Sequence, residues 1–169
     1  MRRWAWIIVT LGAALSATAS AFFHPLPRLI WNGSASVPIG LYNLRPAGRL
    51  QIAELVVVRP PNALAQFLAS RRYLPEGALM LKQVLALPGQ IVCRNVRTIT
   101  VDGIATGEAL DHDARGRPLP VWQGCQRIAK SEVFLMNWKS KVSLDGRYFG
   151  PLPMTSVIGR ADPFWTAED

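Results

Sequence analysis

Three short stretches of the sequence hold side chains whose types and spacing could do covalent chemistry. In the first, Asn32-Gly33-Ser34-Ala35-Ser36-Val37-Pro38-Ile39-Gly40, two serines precede a proline and a glycine. The second is Lys82, the only lysine before Lys130, set inside the apolar run ALMLKQVLAL. The third is Ser143-Leu144-Asp145-Gly146-Arg147. A serine hydroxyl becomes a useful nucleophile only when a base takes its proton. The two histidines, His24 beside an apolar N-terminal segment and His112 in a polar stretch, give little support to a Ser, His, Asp triad. A lysine amine is normally protonated at neutral pH, but burial disfavours the ammonium and can leave a neutral amine able to accept a proton. On its own, the segment around Lys82 reads more readily as an amphipathic strand, with the lysine facing solvent and Leu81 pointing the other way. Asp145 and Arg147, two apart, share one face of an extended strand with Ser143 and can pair. A surface ion pair ahead of a turn would show the same spacing.

These residues must be positioned by a mostly β domain. Pro60 and Pro61 stop the β-rich run ELVVVRPP, and NALAQFLASRRYL has helical spacing at Leu64, Phe67 and Leu68, with Asn62 placed to cap its start and Pro75 beyond its end. ALMLKQVLALPGQIVCR reads as two strands joined through Pro88 and Gly89, and TITVDGIAT as strand, turn, strand. EVFLMNW is a further apolar strand, and SVIGRADPFW closes the sheet. The stretch from Ala105 to Cys125 is polar and irregular, an exposed excursion in which Asp111, His112 and Asp113 read as solvated turn residues.

Before the domain, Arg2 and Arg3 precede an uncharged segment from Trp4 to Phe23, about the twenty residues that span a bilayer core. The arginine pair favours a cytoplasmic N-terminus, with residues 24–169 on the far side of the membrane. Ala-x-Ala sites at Ala17 to Ala19 and Ala19 to Ala21 would also suit a removable signal peptide, and a retained anchor over residues 1–23 is the preferred reading. The aromatic FFHPLPRLIW region, with Arg28, fits either an interfacial segment or the plain flank of an anchor. In an exported domain, Cys93 and Cys125, the only cysteines, are expected to form one disulfide. Two cysteines and two histidines do not make a zinc spacing, and no cofactor is expected. The net charge of +8 comes from 19 Lys and Arg against 11 Asp and Glu scattered along the chain. Such a distribution suits an anionic membrane surface better than nucleic acid, which needs a concentrated basic footprint.

In order and combination, the three stretches resemble the type I signal peptidase superfamily, specifically its TraF-type branch associated with conjugative transfer. That branch shows an N-terminal membrane segment, a Ser-x-Pro-x-Gly box, a lysine ahead of an Ala-x-Pro-Gly turn, and a Ser-x-Asp-x-Arg-Tyr-Phe-Gly box. Here these are Ser36 to Tyr42, Lys82 followed by Ala86-Leu87-Pro88-Gly89, and Ser143 to Gly150. The resemblance implies a signal-peptidase-like β-domain, in line with the mostly β reading with one short helix that the residues themselves give. It implies Ser36 as nucleophile, Lys82 as general base, and Ser34 as a hydroxyl donor to the oxyanion beside the backbone N–H of Ser36. Ser143 would orient the lysine amine, Asp145 and Arg147 would form a supporting ion pair, and Asp145 joins the catalytic set. The expected substrate is an exported precursor with small residues near the cut, in this branch a pilin precursor, processed at the periplasmic face of the cytoplasmic membrane by hydrolysis or by cyclisation. The sequence departs from the wider family at Gly146, where a serine is usual, at Gln90, where an acidic residue is common, and at MNWKSK, which replaces a Gly-Asp-Asn. These departures leave the support around Lys82 in question. The competing reading is a catalytically inactive exported β-domain serving a conjugation or secretion apparatus.

Overall fold

A computed structural model describes residues 2–22 and 28–167. His24 and the rest of the segment 23–27 lie outside the described residues. Helix α1, Arg2–Phe22, forms over the uncharged N-terminal run, with Trp4, Trp6, Ile8 and Leu15 exposed. Among the described residues, no helix is long and apolar enough to cross a membrane, so the expected span is not shown.

The remainder is mostly β, in two antiparallel sheets. The larger runs in the order β1 (Leu29–Asn32), β2 (Gly40–Arg45), β11 (Val157–Thr166), β3 (Leu55–Val58), β4 (Met80–Ala86), β9 (Glu132–Leu135) and β10 (Leu152–Pro153). The smaller has the order β7 (Ile104–Glu108), β6 (Thr98–Val101), β5 (Ile91–Asn95) and β8 (Gly124–Arg127). Strand β11 closes the larger sheet from within, pairing β2 along one edge and β3 along the other. Gly159 permits this, because a Cβ there would lie 2.4 Å from the Arg45 carbonyl oxygen.

The turns follow local chemistry. Between β4 and β5, the Gln90 N–H donates to the Leu87 carbonyl across Pro88 and Gly89, and Gly89 has φ 95°, the arrangement of a type II turn. Asp102 and Gly103, at φ 49° and 83°, form the two-residue turn of the β6–β7 hairpin, where positive φ at both positions matches the strand twist. Cys93 and Cys125 are disulfide-bonded directly across β5 and β8.

Several expectations are corrected. Helix α2 spans Asn62–Ser70, but Pro61 occupies its cap and Asn62 is already helical, with no side-chain cap hydrogen bond. There is a further short helix, α3 (Gly146–Phe149), and a 3-10 turn at Met154–Ser156, so the domain holds more than one short helix. Asp145 caps α3 instead of lying in an extended strand. The excursion after β7 is not simply exposed: Ala109 and Leu119 are buried against Tyr148, and Asp113 is not solvated. Tyr73 and Arg117 donate to the Asp113 carboxylate, whose side chain is 8% exposed. Burial alone would raise its pKa, but hydrogen bonds from Tyr73, Arg117 and Arg115 outweigh this and hold it below the usual carboxylate range.

Lys82 is also buried, 6% exposed, against the solvent-face reading. Side chains alternate faces along a strand, and β4 is covered on both. Met80 and Val84 pack in the core beneath α2, while Leu81 packs with Val57, Tyr42 and Val37 on the opposite side. A lysine in this strand has no solvent face to occupy.

Candidate active site

Ser34 and Ser36 sit on the loop between β1 and β2, which are joined in register at Asn32 and Gly40. The loop is folded around Asn32, a buried residue. Asn32 Nδ2 donates to the carbonyls of Ser34, Val37 and Pro38, at 2.9, 3.1 and 3.0 Å. Its Oδ1 accepts from both the N–H and the hydroxyl of Ser34, at 3.1 and 3.0 Å. Tyr42 adds a 2.6 Å hydrogen bond to the Pro38 carbonyl. Ser36 Oγ lies 3.1 Å from Ser34 Oγ. A hydroxyl carries a single proton. With that of Ser34 given to Asn32, Ser36 is the donor to Ser34.

Across the cleft, Lys82 Nζ donates to Ser143 Oγ at 2.9 Å. Burial drives the Lys82 pKa down to about 8; the nearby Asp145 partly opposes this and Arg147 adds to it. Asp145 and Arg147 form a buried fork-to-fork pair: Arg147 Nε and Nη2 each donate to the carboxylate at 2.9 Å. Arg147 Nη2 also donates to the Ser140 and Ser143 carbonyls, at 2.7 and 3.2 Å, which folds the loop carrying Ser143 onto the pair. Arg94, itself buried, donates to the Arg147 carbonyl at 2.6 Å.

Ser34, Ser36, Lys82 and Ser143 line one cleft of about 850 Å³, whose walls include Leu74, Leu79 and Met80. Of the residues expected from sequence, the structure therefore brings together both serines of the first stretch, the lysine and Ser143. Asp145 and Arg147 stand behind them, away from the cleft lining. In this resting arrangement Ser36 is engaged by Ser34 and Lys82 by Ser143, with no direct hydrogen bond between Ser36 and Lys82 among the described residues. Such contacts commonly tighten only when substrate is bound. The arrangement is suited to acyl transfer: a hydroxyl and a desolvated amine face an apolar groove that can hold an extended chain.

Sequence reasoning missed Asn32, Asn137 and Arg94. The first stands at the head of the serine stretch and the second inside MNWKSK, so proximity to the proposed boxes was the one available signal. Arg94, in the second sheet, had none.

A family described as "Signal peptidase, peptidase S26" matches residues 1–165. A "Conjugal transfer protein TraF" of Agrobacterium fabrum is 32% identical over 145 residues, covering 80% of this chain and 81% of that protein. A "Plasmid transfer protein TraF" of Escherichia coli is 29% identical over 170 residues, covering 95% and 94%. Among solved structures, a signal peptidase I from Enterococcus faecalis superposes with a TM-score of 0.39 at 17% identity, covering 68% of this chain and 97% of that one.

Proposed function

The chain belongs to the signal peptidase, peptidase S26, family, and from that footing we propose that it is a membrane-associated serine endopeptidase working through a Ser36 and Lys82 dyad. The observation that carries the reading is the cleft itself: Ser36 and a lysine with a depressed pKa open onto the same groove, and Ser143 holds the amine. Neutral Lys82 takes the Ser36 proton, and Ser36 Oγ attacks the scissile carbonyl carbon. The oxyanion so formed is met by the Ser36 N–H and by the Ser34 hydroxyl, which must first turn from Asn32. Each such donor contributes roughly 2.7 to 4 kcal/mol to the transition state. The Lys82 ammonium then protonates the leaving amine, and the acyl-enzyme is released by water, or by the precursor's own terminal amine to give a cyclic product.

The relatives named for conjugal and plasmid transfer support a conjugative pilin precursor as substrate, with small residues near the cut. We place α1 as a retained anchor and the domain on the periplasmic side of the bacterial inner membrane. The uncharged run behind Arg2 and Arg3 and the exposed apolar side chains of α1 support this. Tethering would raise the effective concentration of enzyme around a membrane-embedded precursor. An inactive scaffold has no need of a buried lysine, whose desolvation is costly.

The test is mass spectrometry of candidate pilin precursors from cells carrying the wild-type protein, Ser36→Ala or Lys82→Ala. Wild-type cells are expected to show the shortened pilin, and loss of a further water marks cyclisation. Full processing by either folded variant would sink the dyad assignment.

A further inference from the structure

We propose that Asn137 is the positioning residue for Lys82, linking the Asp145–Arg147 pair to the backbone on either side of the base. The inference rests on the reading of Lys82 as general base. Asn137 is fully buried and lies where β9 leaves β4. The backbone ladder between these strands runs through Val84 opposite Leu135 and ends with the Met136 N–H donating to the Gln83 carbonyl at 2.9 Å. Beyond that point the Asn137 side chain takes the place of a strand. Its Oδ1 accepts from the Gln83 N–H at 2.9 Å, and its Nδ2 donates to the Leu81 carbonyl at 3.1 Å. In a strand, the carbonyl of one residue and the N–H two residues on face the same edge. Asn137 therefore closes the edge of β4 at the residue between them, Lys82, whose other edge is paired to Val56 of β3.

The same residue is tied to the ion pair through its backbone. The Asn137 N–H donates to Asp145 Oδ2 at 3.1 Å, and its carbonyl is 3.5 Å from Arg147 Nη2. Contacts thus run from Arg147 to Asp145, to Asn137, to the peptides on either side of Lys82. The lysine amine itself goes to Ser143. The side chain that bridges Gln83 N–H and Leu81 C=O must present an acceptor and a donor from one short planar group, which among side chains of this size is the asparagine amide. Asn137 thus supplies, from within MNWKSK, support that the departure from Gly-Asp-Asn had left in question.

The charged groups acting on Lys82 are Asp145, which favours the ammonium, and Arg147, which opposes it. Strand β3 sets apolar Val56 opposite it, and β9 contributes buried Val133, Phe134 and Leu135. Loosening this edge admits water to the amine, so its titration midpoint should rise. The experiment uses the full chain in detergent micelles, with wild type and Asn137→Ala followed by NMR. Amide exchange at Gln83 and the pH titration of the Lys82 side chain are read together. Exchange at Gln83 is expected to quicken by about tenfold or more, as for loss of a buried hydrogen bond. The Lys82 midpoint should climb by about one unit toward the ordinary lysine value. If the alanine variant fails to fold, Asn137→Ser, with a hydroxyl too short to bridge both peptides, is read in the same way. A folded variant with both readings unchanged overturns the proposal. Neither reading needs a substrate, so wild-type protein that processes no precursor would defeat the peptidase reading while leaving this result standing.

Discussion

Replacing Lys82 with methionine should abolish processing and yet stabilise the fold, by an amount that depends on pH. The side chains have similar volume, and Lys82 is buried, so the exchange removes a desolvated charge from a packed site. The Lys82 pKa is lowered from 10.5 to about 8; this difference of about 2.5 units, at 1.36 kcal/mol each, corresponds to about 3 kcal/mol. The sign follows from proton counting. Below pH 8 the lysine is protonated in both states and the folded state bears the whole penalty. Between pH 8 and 10.5 the folded state has lost the proton that the unfolded state still holds, so wild-type stability rises with pH; above 10.5 the penalty is gone. Losing the hydrogen bond to Ser143 offsets about 1 kcal/mol. Lys82→Met should therefore exceed wild type by about 2 kcal/mol at pH 6, and the advantage should vanish by about pH 10. Urea unfolding in micelles at a series of pH values measures it. A variant less stable than wild type at pH 6, or a difference that does not change with pH, would refute the reasoning that desolvation poises this amine.

The proton accounting extends to activity: processing should rise with pH through about 8 as Lys82 loses its proton, measured as a pH–rate profile. Asp145→Asn leaves the buried Arg147 uncompensated and should cost about 3 to 5 kcal/mol of stability, measured by urea unfolding. Asn32→Ala removes the five side-chain hydrogen bonds that Asn32 makes within the Ser36 loop, leaving that of Tyr42, and should cut kcat for precursor by about tenfold or more, judged from the precision such loops require. The Lys82 titration should be unmoved, which NMR would report. With a sequence separation of 32 between Cys93 and Cys125, replacing both by serine should cost roughly 3 to 4 kcal/mol of stability, read by calorimetry.

Much of the β framework was legible because its signals are local. Asp102-Gly103 and Pro88-Gly89 announce their turns through backbone preferences, and β3 ends at Val58, just ahead of Arg59, Pro60 and Pro61. Helix α2 was legible from its apolar spacing but not its cap, since Pro61 sets the entry by its own fixed geometry where a side-chain bond from Asn62 was expected. The extended reading of Ser143 to Arg147 failed for a related reason. Two residues of separation bring side chains together equally well on a strand or around a capped turn, and the Arg147 N–H bonded to Asp145 decides for the turn.

Lys82 shows what a single segment cannot contain. The alternation in ALMLKQVLAL marks which residues share a face, but whether that face meets water depends on α2 and on the loop bearing Ser143, supplied from 61 residues away. Its burial is a property of the assembled sheet. The same holds for Asn137: two backbone groups of β4 need partners only because β9 turns away, and nothing in MNW announces that an amide will replace a strand. A mostly apolar core could close this edge at lower cost with paired backbone. Leaving it to one amide makes the edge depend on Asn137, Asp145 and Arg147 together, so stability here is tied to the geometry of the amine that the chemistry uses.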